Sequence, residues 1–298
     1  MLRYLFYLPS FSFSCLFALG CSGQTPPAAQ PVAHIEPEKE SSKPLTVELG
    51  GEMKMEFVLI PKGKFRMGSP ADERGHNCGG GRNPFIGPES LHEVEITRAF
   101  YLGVYPVTQE QFTAVMRDEQ RPFFVKGMNL PAVGQGWRGA SDFCKKMRDN
   151  DKQKRQFRLP TEAEWEYACR AGSKTPYYFG EDPNKLGEYA WFKDNANGRP
   201  HPVGEKKPNA WGLFDMHGNV AQWCEDYYGP YEGLDAKDPV RSVGPLHGTP
   251  VERHDESILR GGSWEDDAEH CRGACRGVSE HGSVGDTTYG FRVAFCPD

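Results

Sequence analysis

Alternating and periodic apolar positions divide the chain into short strands and a few well-marked helices. Glu56-Phe57-Val58-Leu59-Ile60 and Lys64-Phe65-Arg66-Met67 flank Pro61-Lys62-Gly63, a pattern that predicts a hairpin. His92–Ile96 alternates apolar and polar side chains, Phe100–Val104 follows after a brief break, and Gly290–Phe295 predicts a closing strand. Thr108-x-x-Gln111 is a capping box ahead of Phe112, Val115 and Met116, in which each partner's side chain satisfies the other's backbone N–H. Ala140, Phe143, Cys144 and Met147 recur at i, i+3, i+4 and i+7, one face of a helix. Thr161-x-x-Glu164 is a second capping box, and its helix should stop near Gly172. The pattern predicts an α+β fold, with two or three helices among many short strands and long loops.

Composition sharpens this picture. The 34 glycines and 24 prolines make up about a fifth of the chain, which disfavours a helical bundle or solenoid. Apolar residues at 38% are enough for a sizeable core, and a net charge of −6 without a basic run excludes nucleic acid as a partner. Met1–Gly20 carries Arg3, then an apolar stretch from Leu5 to Phe17, and ends in Ala18-Leu19-Gly20-Cys21. This is the shape of an export signal, and Pro9 and the serines break it as a membrane span. Ala-Leu-Gly-Cys resembles a bacterial lipoprotein cleavage site, so residues 1–21 are expected to be a signal peptide with Cys21 as the lipidated cysteine. Residues 22–44, with Pro26, Pro27, Pro31, Pro37 and Pro44, predict a disordered tether. Residues 45–298 contain no second linker of this kind and no sustained repeat, and predict one domain. The expected location is exported, in the periplasm or at the cell surface, with the membrane met through the lipid anchor alone.

The domain carries a resemblance in its motifs. Phe57-Val58-Leu59-Ile60-Pro61-x-Gly63-x-Phe65-x-Met67-Gly68-Ser69, Phe100-Tyr101-Leu102-Gly103-x-Tyr105-Pro106-Val107-Thr108 and Arg158-Leu159-Pro160-Thr161-Glu162-Ala163-Glu164-Trp165-Glu166-Tyr167-Ala168-Cys169-Arg170 come first. Asn209-x-Trp211-Gly212-Leu213-x-Asp215-Met216-x-Gly218-Asn219-Val220, Leu259-Arg260-Gly261-Gly262-Ser263-Trp264 and Gly290-Phe291-Arg292-Val293-Ala294 follow. In this order they resemble the sulfatase-modifying factor domain of formylglycine-generating enzymes. The resemblance implies a variant of the C-type-lectin fold, mostly irregular chain around small sheets.

It also implies a chemistry, which the residues meet only in part. Enzymes of this family oxidise a cysteine of a target sulfatase to formylglycine with oxygen and copper(I) held by two thiolates, because copper(I) prefers soft ligands. Their first cysteine lies two residues beyond the aromatic of the Gly-Gly-Ser-aromatic turn, and the second five residues later. Here the first position is Asp266, a hard carboxylate, and the second is Cys271. Cys275 is a possible replacement, because a spacing of four places Cys271 and Cys275 on one side of a helix or strand. An oxidising compartment favours disulfides. The resemblance implies a bridge from Cys169 to Cys271 or Cys275, and a second one joining Cys144 to Cys296. It further implies a calcium site formed by the Asp215 side chain, the carbonyls of Gly218 and Val220, and Gln222, where the family's usual ligand is glutamate.

Other candidates point to structure. Cys78 with His76 offers too few ligands for a zinc site, Cys224 is a buried small hydrophobe, and Trp165, Trp211, Trp223 and Trp264 are core anchors. His217, His254, His270 and His281 have no zinc-helix spacing. Two functions are therefore expected to compete. The first is a domain with a degraded copper site that binds a peptide or glycan at the cell surface. The second is an active copper oxidase acting on a cysteine or related residue of an exported protein such as a sulfatase. Family members that make sulfoxides with iron normally carry an added N-terminal helical domain, which the segment before Leu45 is too short to contain.

Overall fold

The computed structural model describes residues 43–77, 89–117, 123, 125–127, 129–242, 256–280, 284 and 286–297. The expected signal peptide, Cys21, nearly all of the tether, Cys78, His254 and His281 lie outside the described residues.

Two four-stranded sheets and one two-stranded sheet carry the fold. The first sheet holds β1 (Leu45–Gly50), β2 (Met53–Ile60), β5 (Phe100–Gly103) and β10 (Ala294–Phe295), in that order and antiparallel throughout. The second pairs β3 (Gly63–Met67) with β4 (His92–Ile96). The third runs β8 (Arg276–Glu280), β7 (Glu256–Arg260), β6 (Ala221–Tyr227) and β9 (Tyr289–Phe291), with only the β6–β9 pair parallel. Among the described residues three α-helices, α1 (Gln109–Met116), α2 (Gly136–Asn150) and α3 (Glu162–Arg170), pack among them.

Local signals were accurate for the helices. Thr108 and Thr161 both form complete capping boxes, with Gln111 and Glu164 reaching back to the cap N–H. Ala140, Phe143, Cys144 and Met147 are all buried under α2, where Phe143 stacks on Phe112 at 5.3 Å and meets Phe291 edge-on at 5.3 Å. α3 ends on Ala171 in the left-handed region, one residue before Gly172.

Two strand expectations are corrected. The segments around Pro61–Gly63 do not form a hairpin: β2 already has β1 on one edge and β5 on the other, so β3 pairs with β4 instead. The closing strand Gly290–Phe295 divides at Arg292-Val293, because β9 joins β6 and β10 joins β5. Arg292 therefore stands where the chain crosses between the two larger sheets.

All nine residues of α3 are buried, charged ones included. Burying a charge is tolerated when it is paired and fully hydrogen-bonded. Glu162 takes Arg276 in a fork, Nε to Oε1 at 2.7 Å and Nη2 to Oε2 at 2.8 Å. Glu166 pairs with Arg260 through Oε2 and accepts Arg170 Nε at 2.8 Å through Oε1. Burial alone would raise the Glu162 carboxyl, but Arg276 and Arg260 hold it below the usual carboxylate range.

Asp226 is the exception in this network. Burial, reinforced by the Glu162 charge, pushes it up to about 7, against the backbone N–H groups of Arg241 and Glu162 that it accepts. The folded state thus binds a proton that the unfolded chain has released above its ordinary value, so this group's stabilisation is complete at acid pH and lost as pH rises to 7. The expected slope is up to about 1.4 kcal/mol per pH unit. Urea midpoints measured from pH 4 to 8 should fall less steeply for Asp226→Asn than for wild type; parallel slopes would remove Asp226 as the cause.

Candidate functional site

The site is built on two turns that hold each other. The Gly218-Asn219 turn precedes β6, and the Gly261-Gly262 turn follows β7. Gly218 N–H donates to Gly261 O at 2.8 Å, and Trp264 N–H donates to Asn219 O at 3.0 Å. Gly262 has φ +68, and a Cβ there would lie 2.8 Å from Cys271 Sγ and 2.9 Å from His270 O. Only a residue without a side chain lets this turn press on the 3-10 turn Ala268–Cys271. Below, Arg260 donates to the carbonyls of Gly273, Ala274 and Cys275 at 2.8–2.9 Å, so the buried charge network also fixes the chain after that turn.

Above the turns lies a cleft of about 230 Å³, lined by Glu265, Asp266, Asp267 and Asp286 together with Ser263 and His270. A neighbouring cavity of about 340 Å³ shares Asp267 and His270 and adds Arg74, Glu181 and Tyr177. Among the described residues that line it four are acidic, and His270 is the one basic side chain. Lys193 pairs with Asp267 at 2.9 Å, both more than half exposed, and solvent makes such a pair weak.

Asp266, at the first thiolate position, is already engaged. Its Oδ2 accepts Ser263 N–H at 2.8 Å and Ser263 Oγ–H at 2.7 Å, and it closes a tight turn. Cys271 is fully buried at the end of the 3-10 turn, and Cys275 lies beyond the turn Arg272–Ala274, immediately before β8. The four-residue spacing therefore does not place Cys271 and Cys275 on one face of a helix or strand. Among the described residues no group of three or more His, Cys, Asp and Glu converges as a metal site. Asp266, a hard carboxylate turned to Ser263, does not supply the first of the two thiolates that copper(I) needs.

In the structure no bond joins any two of Cys144, Cys169, Cys224, Cys271, Cys275 and Cys296. Cys144 packs under α2 in the cluster that contains Val293, whereas Cys296 packs against the other cluster, 3.7 Å from Arg158 Nη2. Cys169 turns its thiol to Met216 O at 3.7 Å and His217 Nδ1 at 4.0 Å, and burial pushes it up to about 12. His217 is held neutral, pushed down to about 3 by burial, and its Nε2 accepts Tyr178 N–H at 3.2 Å. His76 meets the buried Ser69 hydroxyl at 2.7 Å.

Of the four expected calcium ligands, the side chains of Asp215 and Gln222 are turned to other partners. Asp215 is fully buried, accepting Gly204 N–H at 2.8 Å and lying 3.4 Å from the Asn219 amide. Gln222 gives its amide N–H to Asp215 O at 2.7 Å, and its only oxygen accepts both Trp165 Nε1 at 2.8 Å and Arg292 Nε at 2.6 Å. Val220 is fully buried beside them. Two N–H donors on the Gln222 oxygen leave it no lone pair for a cation, so Gln222 as placed does not fit the role of a calcium ligand.

Sequence reasoning missed the buried arginines. Arg260, Arg272, Arg276 and Arg292 are each at most 1% exposed. The available signal was an arginine between apolar residues and glycines, as in Leu259-Arg260-Gly261 and Phe291-Arg292-Val293.

Residues 45–296 match the family described as "Sulfatase-modifying factor enzyme 1-like domain". The chain is 31% identical over 287 residues to serine/threonine-protein kinase pkn1 of Chlamydia pneumoniae, covering 88% of this chain and 40% of that protein. It thus spans well under half the length of that relative. It is 26% identical over 283 residues to the inactive C-alpha-formylglycine-generating enzyme 2 of Bos taurus, covering 75% of this chain and 81% of that one. Among solved structures it resembles PvdO from Pseudomonas aeruginosa, with 27% identity, a TM-score of 0.70, and coverage of 86% of this chain and all of PvdO. The chain belongs to the sulfatase-modifying-factor, or formylglycine-generating-enzyme-like, family.

Proposed function

We propose that this is a binding member of the family rather than an oxidase. It is exported, lipid-anchored through Cys21, and holds in its acidic cleft a segment of an exported polypeptide that carries a basic side chain. The observation that carries the reading is Asp266, bound by Ser263 where a copper enzyme needs its first thiolate. The carboxylates of Glu265, Asp267 and Asp286 complement a lysine or arginine side chain better than a neutral glycan. A relative named as an inactive enzyme supports the loss of oxidase chemistry.

Two measurements test it. In a copper(I) titration with a competing chelator, the wild-type domain is expected to bind weakly and to form no aldehyde on a sulfatase-type cysteine peptide. Aldehyde formation abolished by Cys271→Ser or Cys275→Ser would establish the oxidase instead. In fluorescence anisotropy, a labelled lysine-bearing peptide should bind in a salt-sensitive manner, and Asp286→Asn should weaken it about threefold to tenfold. Equal affinity for a peptide with alanine in place of lysine would overturn the cleft assignment. Mass spectrometry of the mature N-terminus should find a lipidated Cys21; an unmodified start elsewhere would refute the anchor.

A further inference from the structure

Charge is unevenly placed along this chain. Its net charge is −6, yet residues 145–158 hold seven basic side chains and two acidic ones. They form the last turns of α2 and the loop that leaves it. Cations at the end of a helix offset its dipole, which accounts for Arg148, but Lys152 and Lys154 lie beyond the helix. The loop is firmly built. Asp151 accepts the Arg155 backbone N–H at 2.8 Å and its guanidinium at 3.0 and 2.5 Å, and Lys154 N–H donates to Asp151 O at 3.2 Å. Lys154 has φ +59, in the left-handed region that a lysine rarely adopts. Asp151 balances Arg155, and Glu164 balances Arg158 at 2.6 Å. Lys145, Lys152 and Lys154 remain exposed, with Asp149 the exposed carboxylate of the stretch.

The position of this loop gives the charge a use. Arg155 lies over the rings of Phe157 and Phe295 at 5.4 and 5.7 Å, and Phe157 packs 6.0 Å from Phe57. Phe57 is the β2 residue opposite Leu45, the first residue of β1. The basic loop and the point where the expected tether joins the domain therefore share one packed corner. We infer that this corner is a docking surface for anionic phospholipid headgroups, which hold the domain against the bilayer that its tether reaches. The inference rests on the lipid anchor at Cys21 proposed above. A flexible chain as long as residues 22–44 spans roughly 25–30 Å, so the corner stays within reach of the surface to which Cys21 is fixed. There each lysine strengthens the attraction about fivefold, and the effect fades within a Debye length. The tether's point of attachment favours a bilayer over nucleic acid, the other polyanion that such a surface fits.

The experiment uses the mature chain with Cys21→Ser, which carries no acyl group, so that binding through the corner is read apart from the anchor. Co-sedimentation is measured with vesicles of phosphatidylcholine alone and of phosphatidylcholine with roughly a third phosphatidylglycerol. Binding is expected to the anionic vesicles at low salt, to be lost at high salt, and to be absent for the neutral ones. Lys152→Gln with Lys154→Gln should lower the partition about tenfold to thirtyfold. Lys174→Gln with Lys185→Gln makes the same change of charge at exposed positions flanking Tyr177 and Leu186 of a separate core cluster, and should leave the partition within about twofold. Equal losses from the two double variants, or equal binding to neutral vesicles, would refute the docking surface. Salt-sensitive binding of a DNA duplex as tight as that of the anionic vesicles would assign the corner to nucleic acid and overturn the inference. Lipid on Cys21 of the wild-type chain with no binding to anionic vesicles overturns this inference and leaves the anchor standing; vesicle binding without lipid on Cys21 overturns the anchor.

Discussion

Glu166→Gln is expected to lower the unfolding free energy by about 3–5 kcal/mol. Glu166 and Arg260 have side chains wholly out of solvent, and Glu166 also accepts Arg170 and the Gly68 N–H. The amide keeps the shape but removes the charge that compensates two guanidinium groups, leaving Arg260 and Arg170 buried with one anion fewer. The penalty is the cost of an uncompensated buried charge rather than the value of one contact. Because Arg260 also holds the carbonyls of residues 273–275, the cleft should loosen with it. Urea denaturation reads the effect. Glu48→Gln, which breaks a pair with Lys54 that is mostly exposed on both sides, serves as the control and should leave the midpoint in place. A loss below about 1 kcal/mol for Glu166→Gln would show that the network is hydrated or rearranges cheaply.

Gly218→Ala is expected to be the most damaging substitution at a single methyl group. Gly218 has φ +66, and its added Cβ would sit 2.2 Å from Trp191 O and 3.2 Å from the Ala190 Cβ. The obstructing atom is backbone, so it cannot swing aside as a side chain would. Gly212→Ala separates the two contributions, because Gly212 has φ +80 with nothing near its added methyl. Gly212→Ala should lose about 1–2 kcal/mol from the left-handed backbone alone. Gly218→Ala carries the same backbone cost plus displacement of the Trp191 peptide, and should either fail to fold or lose at least twice as much. It should also abolish peptide binding, because Gly218 N–H fixes the Gly261-Gly262 turn under the cleft. Equal destabilisation by the two variants would show that the Trp191 segment yields freely.

The helices were legible because their signals act over three or four residues. A threonine three positions before a glutamine or glutamate closes its own hydrogen bonds wherever the chain later packs, and both boxes formed. The four apolar positions on α2 likewise named their own face. The strand at His92–Ile96 was legible for the same reason, since its alternation needs no knowledge of a partner.

Pairing was a different matter. Whether β3 lies beside β2 depends on β1 and β5 having already taken both of its edges. The disulfide and calcium expectations depend on meetings of the same kind. They came from motif positions, but a bond depends on where side chains point after packing. Cys144 and Cys296 fall into different core clusters. Gln222 meets Arg292 seventy positions later in the chain, and Arg292 meets Gly103 from 189 positions away.

The sequence by itself determined the α+β class, the capped helices, the family motifs and the replacement of a thiolate by Asp266, because each is a property of residue identity or of near neighbours. Only the tertiary structure decided that Asp266 is held by Ser263, that acidic residues line one cleft, and that the buried Arg292 guanidinium meets the Gln222 oxygen. These are meetings of distant segments, and burial makes each meeting selective by leaving a polar group no water to turn to.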